Sequence, residues 1–382
     1  MEITEADSKR LLRLFIRFPY KLYKNDPNYV PDLIISQRQI FSRENPFFEH
    51  SRAKYYLAMD NGKAVGRIAV IHNRPHNSLY NEKTAFFGFF EAEDNFEVFT
   101  CLIGKVIEWA RTEGFNRLMG PTNFTTNDSC GFLISGFEKT PVIHMPYNKY
   151  YYPKFFERYG FVKELDLFSY EISGKDLKRH INEELLRRVE DKLALEGIRI
   201  RHVRFKDMET EIQNLMEVYN ASNAGSWGFI PLTEKEFRSM ALNLKRLIPE
   251  KLILLAEKDN KLIGFLVALP DFNQVFRHIP SGRLMPAGIF KFLWYKRQID
   301  NSRILILGVL NNFKNRGVDL LLYKKIQENL DTIGIYGGEA AYVMENNVAM
   351  NSIMQKIGGT VVKRYRIVSM DISDKSKRQN GS

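Results

Sequence analysis

One order of elements occurs twice in this chain, and that recurrence restricts the fold more than any single motif. In each cycle helical segments precede a β-hairpin, and strand, helix, strand, helix, strand follow. The first hairpin is KYYLAMDNGKAVGRIAVIHN, with its turn at Asp60-Asn61-Gly62, and the second is KLILLAEKDNKLIGFLVAL, turning at Lys258 to Lys261. Asn, Asp and Gly accept the left-handed backbone that such tight turns need. No obvious sequence repeat accompanies the pattern. The expected class is α/β (α+β), with two similar units, each a mixed, mainly antiparallel sheet flanked by helices. The expected boundaries are an N-terminal half over 1–173, a charged helical connection over 174–197, a C-terminal half over 198–373 and a loose tail over 374–382.

The cycles are legible from periodicity. SKRLLRLFIRFPYKLY places Leu12, Phe15, Ile16 and Pro19 to Tyr23 at helical spacing, and DPNYVPDL breaks that helix. A helix over Asn95 to Thr112 aligns Val98, Leu102, Val106 and Trp109 and stops at Gly114. In the second cycle RILILGVL is a strand, Gly317 to Leu330 a helix, GEAAYVM a strand, VAMNSIMQKIGG a helix and TVVKRYRIVSMDI the last strand.

Length and composition agree with two domains: 382 residues are too many for one ordinary core, and 44% hydrophobic residues can fill two. Cys101 and Cys130 are the only cysteines, which leaves no disulfide framework and no metal-type spacing, and the seven histidines are scattered. No metal is expected. The N-terminus lacks the apolar core of a signal peptide and no apolar run is long enough to span a membrane. The expected location is cytoplasmic, with room for peripheral contact with the inner membrane. The net charge of +11 suits an anionic partner. Nucleic acid is disfavoured, because the cations are interspersed with acids and no recognition motif appears.

The strongest local signal is ILILGVLNNFKNRGVDLLLYKKIQ, in which a strand meets a helix through a loop holding Lys314, Asn315, Arg316, Gly317 and Val318. Helix starts leave backbone N–H groups unpaired and carry the positive end of the helix dipole, so a diphosphate binds well there. The competing reading is an ordinary turn with solvated cations.

Both the element order and this loop resemble the GNAT superfamily of CoA-dependent N-acyltransferases. In that family the loop reads Q/R-x-x-G-x-G/A and holds the CoA pyrophosphate. Lys314 takes its first position, Gly317 the glycine, and Asp319, a departure, the last small residue. The resemblance further implies that Val309 and Leu310 hold the thioester and pantetheine through their backbones. It also implies that Asn347 opens the helix before Gly358-Gly359. Met354 stands where many members have a tyrosine that protonates the departing thiolate, so Tyr336, Tyr342 or water would take that role. In the first half the corresponding junction, EAEDNFEVF, is acidic, and Glu91, Glu93, Asp94 and Glu97 would repel a diphosphate. That half is therefore expected to be scaffold or acceptor site.

FFGFFEAEDN, GPTNFTTNDSCGF, MPYN and SGRLMP resemble, more narrowly, a bacterial tandem-GNAT family related to the bacterial ceramide synthases, which acylate a long-chain amine. The expected donor is acyl-CoA or acetyl-CoA, or an acyl carrier protein in its place. The expected acceptor is an amine, on a lipid such as a sphingoid base. A small-amine acetyltransferase and a non-catalytic acyl-CoA-binding or regulatory protein stay open beside it. Glu339, Asp128, Glu345 and His144 are candidate bases, each with an alternative structural role. The loop GPTNFTTNDSCGF offers Thr125, Asn127 and Asp128 as polar contacts for an acceptor. The insertion over 272–303 mixes apolar and cationic side chains, which suits a lipid–water interface, an acyl-chain entrance or an amphipathic helix packed on the protein.

Overall fold

Among the described residues, thirteen strands are interspersed with helices along the chain. They are β1 (Glu2–Glu5), β2 (Arg52–Asp60), β3 (Lys63–His72), β4 (Thr84–Ala92), β5 (Arg117–Gly120), β6 (Phe132–Ser135), β7 (Val162–Ser173), β8 (Ile198–His202), β9 (Ile253–Lys258), β10 (Lys261–Pro270), β11 (Asn301–Val309), β12 (Gly337–Met344) and β13 (Thr360–Asp371). The computed structural model describes residues 1–180 and 182–373. The tail expected over 374–382 lies outside the described residues.

The chain divides into two compact units. Of the described residues, unit 1 comprises 1–167, 276–292 and 363–373, and unit 2 comprises 168–275 and 293–362. Each contains a mixed sheet with helices packed on it, the α/β architecture read from the sequence. Within unit 1 the strand order is β1-β2-β3-β4-β5-β13, with β6 also on β13. The strand beside β5 is thus supplied by the end of the chain, with Ser369 opposite Met119 and Val368 opposite Gly120. Unit 2 has the order β8-β9-β10-β11-β12.

In both units the first strands form antiparallel pairs closed by turns in the left-handed region, at Asn61-Gly62 and at Asp259-Asn260. One parallel pair follows, β4 with β5 and β11 with β12. The core of unit 1 packs the helix Phe96–Thr112 through Val98, Phe99, Leu102, Ile103 and Val106 onto the hairpin, with Phe87, Phe156 and Phe161 beside them. Asn95 caps that helix by accepting from the Glu97 N–H at 2.8 Å. The helix Lys9–Leu22 begins at Ser8, whose hydroxyl caps Leu11, and buries Phe15, Ile16, Phe18 and Pro19.

Candidate active site

Unit 2 contains an open fork between two strands. β11 and β12 pair in parallel from Asn301 opposite Gly337 to Ile304 opposite Ala340, and no pairing continues beyond that point among the described residues. At the same place β11 carries a bulge, because Val267 of β10 faces Ile306 while Ala268 faces Ile304, leaving Leu305 extra. A bulge twists its strand and turns it away from its partner. Beyond it Leu305, Ile306 and Leu307 are half-buried. The pairing with β10 continues, and the Leu310 N–H donates to the Ile263 carbonyl at 2.9 Å. That donor belongs to the sheet, so Leu310 shapes the strand end rather than offering its N–H to the fork. Val309 beside it is buried.

A short turn over Asn311–Phe313 leads from β11 to the helix Val318–Asp331. Lys314 is exposed, and among the described residues no ion pair holds it. Asn315 and Gly317 both have positive φ, at 60° and 92°, so the chain doubles back immediately before the helix. A Cβ on Gly317 would lie 2.5 Å from Cγ1 of Val189 on the helix Glu183–Leu195, so glycine is required by packing as well as by conformation. Gly317 occupies the N-cap without a side-chain oxygen to cover the first N–H groups, including that of Val318. Arg316 is paired with Glu196 and lies 5.5 Å from the Phe313 ring, which neutralises part of its charge. Lys314 is thus the exposed cation of this loop. Asp319 in the first helical turn favours the helix start; together with burial, it raises the Tyr323 hydroxyl pKa.

One residue before the last β11–β12 pair, on the closed side of the fork, β12 holds Glu339, which is 3% exposed and accepts from the Ser169 hydroxyl at 2.5 Å. Glu339 and Arg303 are register partners, and the Arg303 guanidinium donates to the Ala341 carbonyl and lies 5.9 Å from the Tyr342 ring. Tyr342 is half-buried on the diverging part of β12, whereas Tyr336 is exposed before the strand. Glu345 is half-buried just after it. Asn347 accepts from the Met350 N–H at 3.1 Å and so caps the helix Val348–Lys356. Asn351 accepts from Tyr170 and donates to the Met344 carbonyl, fixing the end of β12 to this helix. Met354 is fully buried in it.

Unit 1 has the same fork, but its own chain closes it. β4 pairs with β5 only from Thr84 to Phe86, and a bulge falls at Phe89, whose φ is 50°. The loop that follows β5 then continues along β4 in the same direction. The Thr122 N–H donates to the Phe87 carbonyl at 2.8 Å, and the Asn123 side-chain oxygen accepts from the Phe89 N–H at 2.8 Å. A Cβ at Gly88 would sit 1.8 Å from the Thr122 carbonyl oxygen, so the loop needs glycine at that point of β4. Thr125, Asn127 and Asp128 form a local turn: the exposed Asp128 carboxylate accepts from the Thr125 N–H and hydroxyl, and the Thr125 oxygen accepts from the Asn127 N–H. His144 lies in the same unit with φ of 61°, and its carbonyl accepts from Ser129.

No protein-family model matches the chain. The chain is 31% identical to Protein YghO of Escherichia coli (strain K12) over 371 residues, 96% of this chain and 94% of that one. It is 32% identical to the Bacterial ceramide synthase of Caulobacter vibrioides over 372 residues, 95% and 94% of the two chains. Among solved structures, a tandem GNAT protein from the clavulanic acid biosynthesis pathway superposes with a TM-score of 0.58 at 11% identity, covering 98% of this chain and 99% of the other. A GCN5-related N-acetyltransferase from Sphaerobacter thermophilus gives 0.52 at 14% identity, covering 97% and 96%. The chain belongs to the tandem GNAT family that includes YghO and the bacterial ceramide synthase.

In this tandem GNAT chain, unit 1 holds a polar cluster that sequence reasoning missed. Glu91 and Arg67 are register partners on β4 and β3 and are both buried. Tyr23 and Tyr152 donate to one Glu91 oxygen at 2.6 and 2.8 Å. Arg67 donates to the Phe15 carbonyl at 2.8 Å, and its Nε has no partner among the described residues. The signal was present, since AVGRIAV and FFGFFEA each set one charge in an apolar strand. Glu91, expected to repel a diphosphate, instead points into this cluster.

Burial pushes the Glu91 carboxyl up to about 6, against the pull of Arg67 and the two tyrosines. A group raised on folding stabilises the fold fully below its unfolded pKa of 4.5, and that contribution is lost as pH rises through 6. The shift is worth about 2 kcal/mol. Glu91→Gln is expected to be more stable than the parent by up to about 2 kcal/mol near pH 7 and no more stable near pH 4. Urea unfolding at both pH values measures this. A variant less stable at neutral pH would show that the charged form is favoured.

Proposed function

We propose that this protein is an acyltransferase that moves an acyl group from acyl-CoA to an amine, with the donor bound in the fork of unit 2. The observation that carries this reading is the contrast between the forks: that of unit 2 stays open and runs to the Gly317 loop, whereas that of unit 1 is closed by Thr122 and Asn123. The diphosphate would meet the backbone N–H groups at Gly317 and Val318, with Lys314 as counter-charge. The half-buried aliphatic run over Leu305 to Leu307 suits a medium or long acyl chain beside the thioester. The relative named a bacterial ceramide synthase, aligned over nearly the whole chain, supports a long-chain amine such as a sphingoid base as acceptor.

In the reaction the unprotonated amine attacks the thioester carbon, the N–C bond forms, and the C–S bond breaks. Glu339, held by Ser169, is the group we assign to take the amine proton. The thiolate leaves with a proton from Tyr342 or solvent, because the buried thioether of Met354 has none to give.

Thiol release from acyl-CoAs of increasing chain length, offered with small amines and with sphingoid bases, tests the proposal. A maximum with acetyl-CoA would sink the long-chain reading. No release with any pair, despite measurable CoA binding, would sink catalysis. The same assay with an acylated carrier protein distinguishes the donors. For the loop, Lys314→Glu is the cleaner probe, since Gly317 cannot carry a side chain without meeting Val189. Replacing the exposed cation should weaken CoA about tenfold or more in a calorimetric titration without changing the melting temperature. Unchanged affinity would remove the loop from the site.

A further inference from the structure

The helix Ala287–Tyr295, sequence AGIFKFLWY, is apolar on both faces. One face is packed: Gly288 is buried, with its Cα so close to the Arg283 carbonyl that a Cβ would lie 2.2 Å from that oxygen, and Phe292 stacks with Phe276. The other face is in water. Phe290 is 74% exposed, Leu293 57% and Trp294 70%, and Met285 just before the helix is 71% exposed. Phe290, Leu293 and Trp294 stand at i, i+3 and i+4, one continuous stripe. A helix apolar all round is ordinarily buried.

This stripe is presented firmly. The segment before it is fastened within unit 1, where the Ile34 N–H donates to the Gly282 carbonyl at 2.9 Å and Gly282 lies tightly against Tyr20 and Asp32. Ile279 is buried. The segment's own charges are of one sign: Arg277, Arg283, Lys291, Lys296 and Arg297 fall within residues 272–299, which contain no Asp or Glu. At nine residues the helix is far too short to cross a bilayer, and no helix among the described residues is long and apolar enough to do so. Apolar side chains aimed outward from a segment whose own charges are all cationic match the boundary of an anionic bilayer, where rings enter the headgroup region and cations meet lipid phosphates.

The geometry points to this helix as a docking surface that lays the protein on an anionic lipid membrane. The inference stands apart from the acyl-transfer reading, because it needs neither CoA nor an acceptor. It is tested by sedimenting the full chain with vesicles of phosphatidylcholine, with and without phosphatidylglycerol. The parent should bind the mixed vesicles, bind less without the anionic lipid, and lose binding as salt is raised. Phe290→Ser and Trp294→Ser should each lower partitioning about tenfold or more, and Lys296→Glu with Arg297→Glu should lower it without removing a ring. Because these side chains are exposed, the melting temperatures should not move. No vesicle binding, binding indifferent to anionic lipid, or variants that bind like the parent would each overturn the inference. Self-association in sedimentation velocity that Phe290→Ser abolishes would overturn it too, by assigning the face to a second copy of the chain.

Discussion

Glu339→Gln is expected to lower kcat by about 10²- to 10⁴-fold, the range over which a positioned general base contributes. The substitution keeps the shape of the side chain, and its amide oxygen can still accept from Ser169, so the fold should be unchanged by circular dichroism. What is lost is the ability to take a proton from the amine. The KM for acyl-CoA should stay within a few-fold, because the loop at Lys314 to Val318 is untouched. The residual activity should climb with pH, since an acceptor that is already deprotonated no longer needs the base. Thiol release across a pH series separates these terms. A Gln variant with the parent's kcat would remove Glu339 from proton transfer and leave the half-buried Glu345 and the exposed Asp128 as the bases to replace in turn.

Much of this geometry was legible in the sequence where the signal is local. The turns at Asn61-Gly62 and Asp259-Asn260 need left-handed backbone, and those residue types announce it. Ser8 and Asn95 cap the helices that periodicity placed after them, and the loop from Lys314 to Gly317 opens a helix as its glycine suggested. What escaped detection depends on partners distant in sequence. The four-residue strands β1 and β6 are too short for alternation to stand out, and they exist through pairing with β2 and β13. TVVKRYRIVSMDI declares itself a strand, but nothing local says that it will lie beside β5. Arg67 and Glu91 are single charges in apolar strands, and only the register of β3 against β4 reveals them as neighbours. The loop GPTNFTTNDSCGF shows the same limit. Its composition indicates turns, which Thr125 and Asp128 make, but its continuation along β4 follows from the fit of Thr122 against Gly88.

Phe124→Ala is expected to cost about 3–5 kcal/mol, as for other fully buried rings, and to open the closed fork of unit 1. Phe124 is 2% exposed and stacks on Phe47 at 4.7 Å, with Phe89 at 5.0 Å, Phe48 at 5.3 Å and Phe41 at 6.0 Å around it. It is the apolar anchor of a loop whose other members are mostly small and polar, so its removal leaves a cavity that the surrounding rings cannot fill without moving. Chemical unfolding measures the loss. Hydrogen exchange locates it: the Phe89 and Thr122 amides, bonded to Asn123 and Phe87, should exchange faster than those of the β2–β3 hairpin. If stability falls while both amides stay protected, the backbone pairing rather than the ring holds the loop on β4. On the proposed donor site, the closure also predicts the stoichiometry. With its fork filled by Thr122 and Asn123, unit 1 leaves one site, and calorimetry on the parent should give one CoA per chain. A second CoA of similar affinity would show that the loop yields to a ligand and that both halves bind the donor.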